Sequence, residues 1–96
     1  MGKEELVKWS HPGGKFRRIG PKSCTDAKLL SIIIGTGTKG TSSESIAKII
    51  LENFGNFRGI VGKPLDSFYK IKGLKEVKAT KIAAVFEIAR RIVEDL

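Results

Sequence analysis

Phe68-Tyr69-Lys70-Ile71-Lys72-Gly73-Leu74-Lys75-Glu76-Val77-Lys78-Ala79, running on to Ala83-Ala84, is the stretch on which the fold turns. Phe68 and Ile71 lie three residues apart, as inward positions of a helix do, and Gly73 ends that pattern. A second pattern follows: Ala79, Ile82, Ala83, Phe86, Ala89 and Val93 recur at three- and four-residue steps, predicting a helix from about Glu76 to Glu94. Only a tight hairpin fits between them. Such a bend presents free backbone N–H groups at the positive end of the second helix, a natural place for phosphate. Gly73 suits positive φ and lets an anion approach the main chain. Leu74 would plug the core between the helices, and Lys78, one turn along, would reach the same phosphate. A loop of this kind reads backbone rather than bases, so its binding is independent of sequence and falls with salt.

The pattern resembles the helix-hairpin-helix motif of nucleic-acid-binding proteins, in which a Gly-apolar-Gly hairpin joins helices that pack closely over an alanine. One position departs from it: Lys75 stands where the second glycine belongs. That leaves two readings open, a phosphate-binding hairpin or a hairpin kept only as a packing device. Thirty-eight residues upstream, Leu30-x-x-Ile33-x-Gly35-Thr36-Gly37 repeats the apolar and glycine spacing, with Ala47 in the helix beyond. We read this as a degenerate duplication. Two units related by a pseudo-twofold would offer two amide sites able to touch both strands of a duplex.

Gly35-Thr36-Gly37-Thr38-Lys39-Gly40 also matches G-x-G-x-x-G, the dinucleotide fingerprint. No second buried strand follows, no acid stands where a ribose carboxylate should, and 96 residues cannot supply the rest of a Rossmann sheet. A phosphate-binding P-loop fails as well, because Thr41 occupies the lysine position.

Working outward, the chain predicts helices separated by glycine and small polar residues, with no period-2 strand. Glu4–Trp9 allows one or two helical turns, broken by Pro12-Gly13-Gly14 and followed by the basic Lys15-Phe16-Arg17-Arg18. Thr25 is placed to cap a helix from Asp26 to about Ile34. Thr41 and Glu44 have capping-box spacing for a helix carrying Ile46, Ala47, Ile49, Ile50, Leu51 and Phe54 inward, with Gly55 after it. A short helix is predicted around Phe57–Val61. Another starts at Lys63-Pro64 with Leu65, Phe68 and Ile71 inward and Gly73 as its stop. The expectation is an all-α compact bundle of five or six short helices, containing one clear helix-hairpin-helix unit (65–93) and one degenerate unit. Residues 20–96 form the domain and residues 1–19 a partly ordered N-terminal segment.

Composition narrows the function. Eighteen Lys plus Arg against ten Asp plus Glu give a net charge of +8, which suggests a polyanionic partner. Residues 1–40 carry +5, residues 41–62 are neutral and residues 63–96 carry +3, with Lys70, Lys72, Lys75, Lys78 and Lys81 grouped against Glu76. One cysteine, Cys24, excludes an internal disulfide, and with a single histidine, His11, it cannot build a tetrahedral zinc site, so neither metal nor cofactor is expected. No run nears the ~18 apolar residues of a membrane span, and the acidic start is unlike a secretory leader. A cytoplasmic location is the simplest expectation.

Gly20-Pro21, Asp26-Ala27-Lys28-Leu29-Leu30, the Gly35 to Gly40 run, Ser45-Ile46-Ala47, Phe54-Gly55 and Ile71-Lys72-Gly73-Leu74 together resemble the N-terminal domain of RadC-like proteins, from about His11 to Val93. In that family a JAB-type metalloprotease-like domain with an H-x-H zinc signature follows this helical domain. It has no counterpart in these 96 residues, so the resemblance brings no hydrolase activity. It implies a role connected with DNA repair. The leading expectation is a non-enzymatic, sequence-nonspecific DNA-binding module for duplex or branched DNA. Gly73, Lys75 and Lys78, with Lys72, would sit at one phosphate, and Gly35, Gly37 and Lys39 at a second. The alternative is a protein-interaction or regulatory domain in which the hairpins only brace the fold. A glycosylase or lyase would need a catalytic aspartate beyond the hairpin, and Asp95 at the chain end is not placed for it.

Overall fold

The computed structural model describes residues 12–96 as six α-helices and one 3-10 turn. In order these are α1 (Pro12–Ile19), the turn Pro21–Ser23, α2 (Asp26–Ile34), α3 (Ser43–Phe54), α4 (Phe57–Ile60), α5 (Asp66–Tyr69) and α6 (Glu76–Glu94). The only extended pairing among the described residues is an isolated bridge between Thr38 and Thr41. The all-α expectation holds. The predicted turns at Glu4–Trp9 lie outside the described residues.

Local chemistry sets most of the boundaries. Thr25 Oγ1 accepts the Lys28 N–H at 3.2 Å and opens α2, which Gly35 closes at φ 80° with its own N–H on the Ser31 carbonyl at 2.9 Å. Asn56 Oδ1 caps α4 by accepting the Gly59 N–H at 3.0 Å. Gly59 allows that turn, because a Cβ there would stand 1.9 Å from the Phe54 carbonyl oxygen.

Three local expectations need correction. α3 is capped by Ser42, whose Oγ accepts the Ser45 N–H at 3.1 Å, and not by Thr41. Thr41 instead exchanges both main-chain hydrogen bonds with Thr38, at 2.9 and 3.0 Å, which holds it one residue outside the helix. Pro12-Gly13-Gly14 opens a helix of its own: proline is tolerated at a first helical position, where its missing N–H has no partner to lose, and whether it breaks the turns expected at Glu4–Trp9 lies outside the described residues. α5 is a single turn starting at Asp66, not a helix from Pro64, and Leu65 is exposed because 63–66 stay at the surface after Gly62. Ile49 and Val93 are exposed too, Val93 to 68%, since α6 buries no side chain beyond Phe86.

The core lies where α2, α3 and the first half of α6 meet. Leu30, Ile34, Ile46, Ala47, Ile50, Ile60, Phe68, Ala79 and Ile82 are almost wholly buried. Successive i to i+3 bonds, Phe68 to Leu65, Ile71 to Phe68 and Leu74 to Ile71, wind the approach to α6. Three residues per turn put Phe68, Ile71 and Leu74 on one inward face. Leu74, 2% exposed, is the predicted plug. Phe54 packs on Phe68 with ring centroids 5.2 Å apart, and Phe57 on Phe86 at 5.6 Å.

Candidate nucleic-acid interface

The Gly73 bend is a four-residue turn. The Leu74 N–H donates to the Ile71 carbonyl at 3.1 Å, and Gly73 occupies the third position at φ 95°, which L side chains rarely adopt. Space demands glycine as well. A Cβ on Gly73 would lie 2.7 Å from Ile46 Cδ1 and 3.3 Å from Thr38 Cγ2. The Gly73 and Lys75 main-chain N–H groups have no carbonyl partner among the described residues.

Lys75 fills the place of the second hairpin glycine without backbone strain. It is the N-cap of α6 at φ −108° and ψ −174°, ordinary extended backbone open to any residue. It makes no side-chain cap hydrogen bond, whereas Thr25, Ser42 and Asn56 cap the helices they precede. The first amides of α6 therefore have no side-chain cap, at a helix end carrying partial positive charge. Glu76 in the same turn complements that charge. Exposed Lys39, Lys72 and Lys75 ring the edge, with Lys78 half-buried behind them.

The upstream loop is built differently. Thr38-Lys39-Gly40-Thr41 closes as a two-residue turn through the Thr38–Thr41 bonds, with Gly40 at φ 87°. The Gly35, Thr38 and Thr41 amides are taken by the Ser31, Thr41 and Thr38 carbonyls, while those of Thr36, Gly37, Lys39 and Gly40 have no backbone partner among the described residues. Gly37 is required by contact rather than by conformation: a Cβ there would stand 2.2 Å from the Thr41 oxygen.

The two loops meet. Lys78 Nζ donates to the Thr36 carbonyl, and Thr38 packs over Gly73. The predicted residues Gly35, Gly37, Lys39, Lys72, Gly73, Lys75 and Lys78 thus fall along one edge at the N-terminus of α6, with Lys78 tying the two bends together. Thr36 and Thr38 belong to this edge and were missed, because nothing in a G-T-G-T run announces which distant lysine or glycine its carbonyl and methyl will meet. Among the described residues no group of three His, Cys, Asp or Glu could hold a metal ion, and no helix is long and apolar enough to cross a membrane.

The far end of α6 has a different character. Glu87 accepts from Arg90 at 2.8 and 2.9 Å and from Arg91 at 2.9 Å, and Arg90 also reaches Glu94 at 2.8 Å. The Arg90 hydrogen bonds, then that from Arg91, lower the Glu87 carboxyl from 4.5 to about 2. Glu87 in turn raises Arg90 above its ordinary value.

These features define a small all-α domain with two glycine-cornered helical bends brought to one basic edge. The chain belongs to the UPF0758 family, whose N-terminal domain description matches residues 4–80, and it is an N-terminal RadC-like domain as its motifs implied. It is 37% identical over 91 residues to a UPF0758 protein of Aliivibrio salmonicida, covering 95% of this chain and 41% of that one. A UPF0758 protein of Vibrio cholerae is 34% identical over 95 residues, covering 99% and 42%, and one of Coprothermobacter proteolyticus is 37% identical over 76, covering 79% and 32%. The chain thus spans about two-fifths of the length of the first two of these relatives. No solved structure matches it significantly.

Proposed function

We propose that this chain is a non-enzymatic, sequence-nonspecific DNA-binding module that grips the phosphate backbone of duplex or branched DNA in a process related to repair. The observation that carries the reading is the uncapped start of α6 beside the Gly73 bend, with free amides at Gly73 and Lys75 and ammonium groups from Lys39, Lys72 and Lys75 around it. Oriented N–H groups and a positive helix end favour an anion at a fixed point, and mobile lysines strengthen the attraction without reading bases. The Gly73 bend supplies the main contact, and Lys39 extends the charge along the strand. Stacking on single strands has little support, since Tyr69 is the only tyrosine and Phe68 and Phe86 are buried in the core.

The test is charge reversal at Lys75, whose side chain is exposed and has no intramolecular partner. Lys75→Glu is expected to weaken binding about equally on unrelated duplex sequences. It should also lower the magnitude of the slope of log K against log salt by about one. Loss confined to one sequence, or an unchanged slope, contradicts the reading. A wild-type slope near zero would favour instead a protein-interaction domain in which the bends serve only packing.

A further inference from the structure

Lys78 stands where a positive charge is disfavoured. It is the third residue of α6, inside the turn whose unpaired amides give the helix start its partial positive charge, and Lys72 and Lys75 add like charge just before it. A cation held there needs an acceptor. Helical side chains tilt back toward the N-terminus, so the Lys78 stem runs over the start of α6 toward the loop 35–40. Its ammonium donates to the carbonyl of Thr36, two residues beyond the end of α2, where the last carbonyls of that helix gather partial negative charge. One bond thus ties α6 to a loop 42 residues upstream. Lys39, Lys72 and Lys75 are exposed, whereas Lys78 is half-buried and turned to the protein's own main chain.

The loop it reaches is shaped from within but placed from outside. Thr38 and Thr41 close their own turn, and Gly37 lies close against Thr41 and Ser42. Contact with the Gly73 bend comes from the Thr38 methyl over Gly73 and from Lys78. A methyl contact is weak and undirected, whereas a hydrogen bond from a charged donor fixes distance and direction together. We propose that Lys78 is a positioning residue rather than a phosphate ligand. It holds the loop 35–40 against the Gly73 bend, so that the Lys39 ammonium joins the Gly73 and Lys75 amides on one edge before DNA arrives. This rests on the DNA-binding reading above and specifies how the two bends act as a single surface. Preassembly raises affinity because a loop that must be ordered during binding subtracts that ordering from the contact it makes.

Lys78→Met tests this, since it keeps most of the stem and the helix propensity while removing the donor. In the whole chain without DNA, the nuclear Overhauser contact between the Thr38 methyl and the Gly73 α-protons should weaken several-fold. Contacts within the core, such as Phe54 with Phe68, should stay as they are. The second arm is a double-mutant cycle on duplex DNA. Lys39→Ala should lower the magnitude of the slope of log K against log salt by about one in the wild-type background and by much less alongside Lys78→Met. Lys72→Ala, whose lysine lies on the other bend, should have the same effect in both backgrounds. Lys78→Leu provides the same comparison should Lys78→Met fold poorly. An unchanged Thr38 to Gly73 contact in the variant overturns the proposal. Additive effects of Lys39→Ala and Lys78→Met overturn it as well, because they make Lys78 a phosphate ligand in its own right. A wild-type chain whose DNA affinity ignores salt contradicts the DNA-binding reading instead, and the Thr38 to Gly73 contact then still decides whether Lys78 positions the loop.

Discussion

Replacing Gly73 with alanine separates two reasons for a glycine. The first is conformational: at φ 95° an L residue is strained, at about 1–2 kcal/mol. The second is spatial: the new methyl would lie 2.7 Å from Ile46 Cδ1, and Ile46 is fully buried, so it has no open direction in which to move. Overpacking a filled site adds about 1–3 kcal/mol. Gly73→Ala should therefore lose roughly 2–5 kcal/mol, and a domain of this size translates each kcal/mol into about 4–8 °C. Gly35→Ala is the matched control, because Gly35 also has positive φ (80°) but open space where the methyl would go. Its loss should stay at about 1–2 kcal/mol. Thermal unfolding followed by far-ultraviolet circular dichroism reads both. A Gly73→Ala variant no less stable than Gly35→Ala would refute the packing of the bend against α3, and with it the meeting of the two loops.

Two further expectations follow from the helix ends. Ser42→Ala should destabilise by about 1 kcal/mol in urea unfolding, while Thr41→Ala, whose side chain caps nothing, should change little. Glu87 is depressed in the fold from 4.5 to about 2 by its arginine partners, so its stabilising effect is complete above about pH 4.5 and is lost as pH falls through 2. A carboxyl carbon titration placing Glu87 near 4.5 would contradict the ladder.

How far the fold was legible depended on whether a position's fate is decided locally. Thr25, Gly35, Gly55 and the Ala79, Ile82, Phe86 stripe act within a turn or two, and the chain places them as their chemistry foretold. Thr41 misled because its role is set by a main-chain partner, Thr38, that side-chain spacing does not reveal. Val93 misled because periodicity identifies an apolar face but not whether another element reaches it. The candidate site shows the same division. Gly73 and the lysines could be named from hairpin chemistry, while the join between the loops rests on contacts spanning 35 or more residues, Lys78 to Thr36 and Gly73 to Thr38, which only the packing of α2, α3 and α6 creates.

The most direct measurement is a salt titration of duplex binding with amide shifts recorded alongside. With about 3–5 phosphates neutralised, log K should fall against log salt with a slope of about −3 to −5. The largest amide shifts should fall at Gly73, Lys75 and the first turn of α6, with smaller ones at Gly37. A flat salt dependence, or shifts collecting around Phe57 and Val93 instead, would contradict the assignment of the basic edge as the DNA-binding surface.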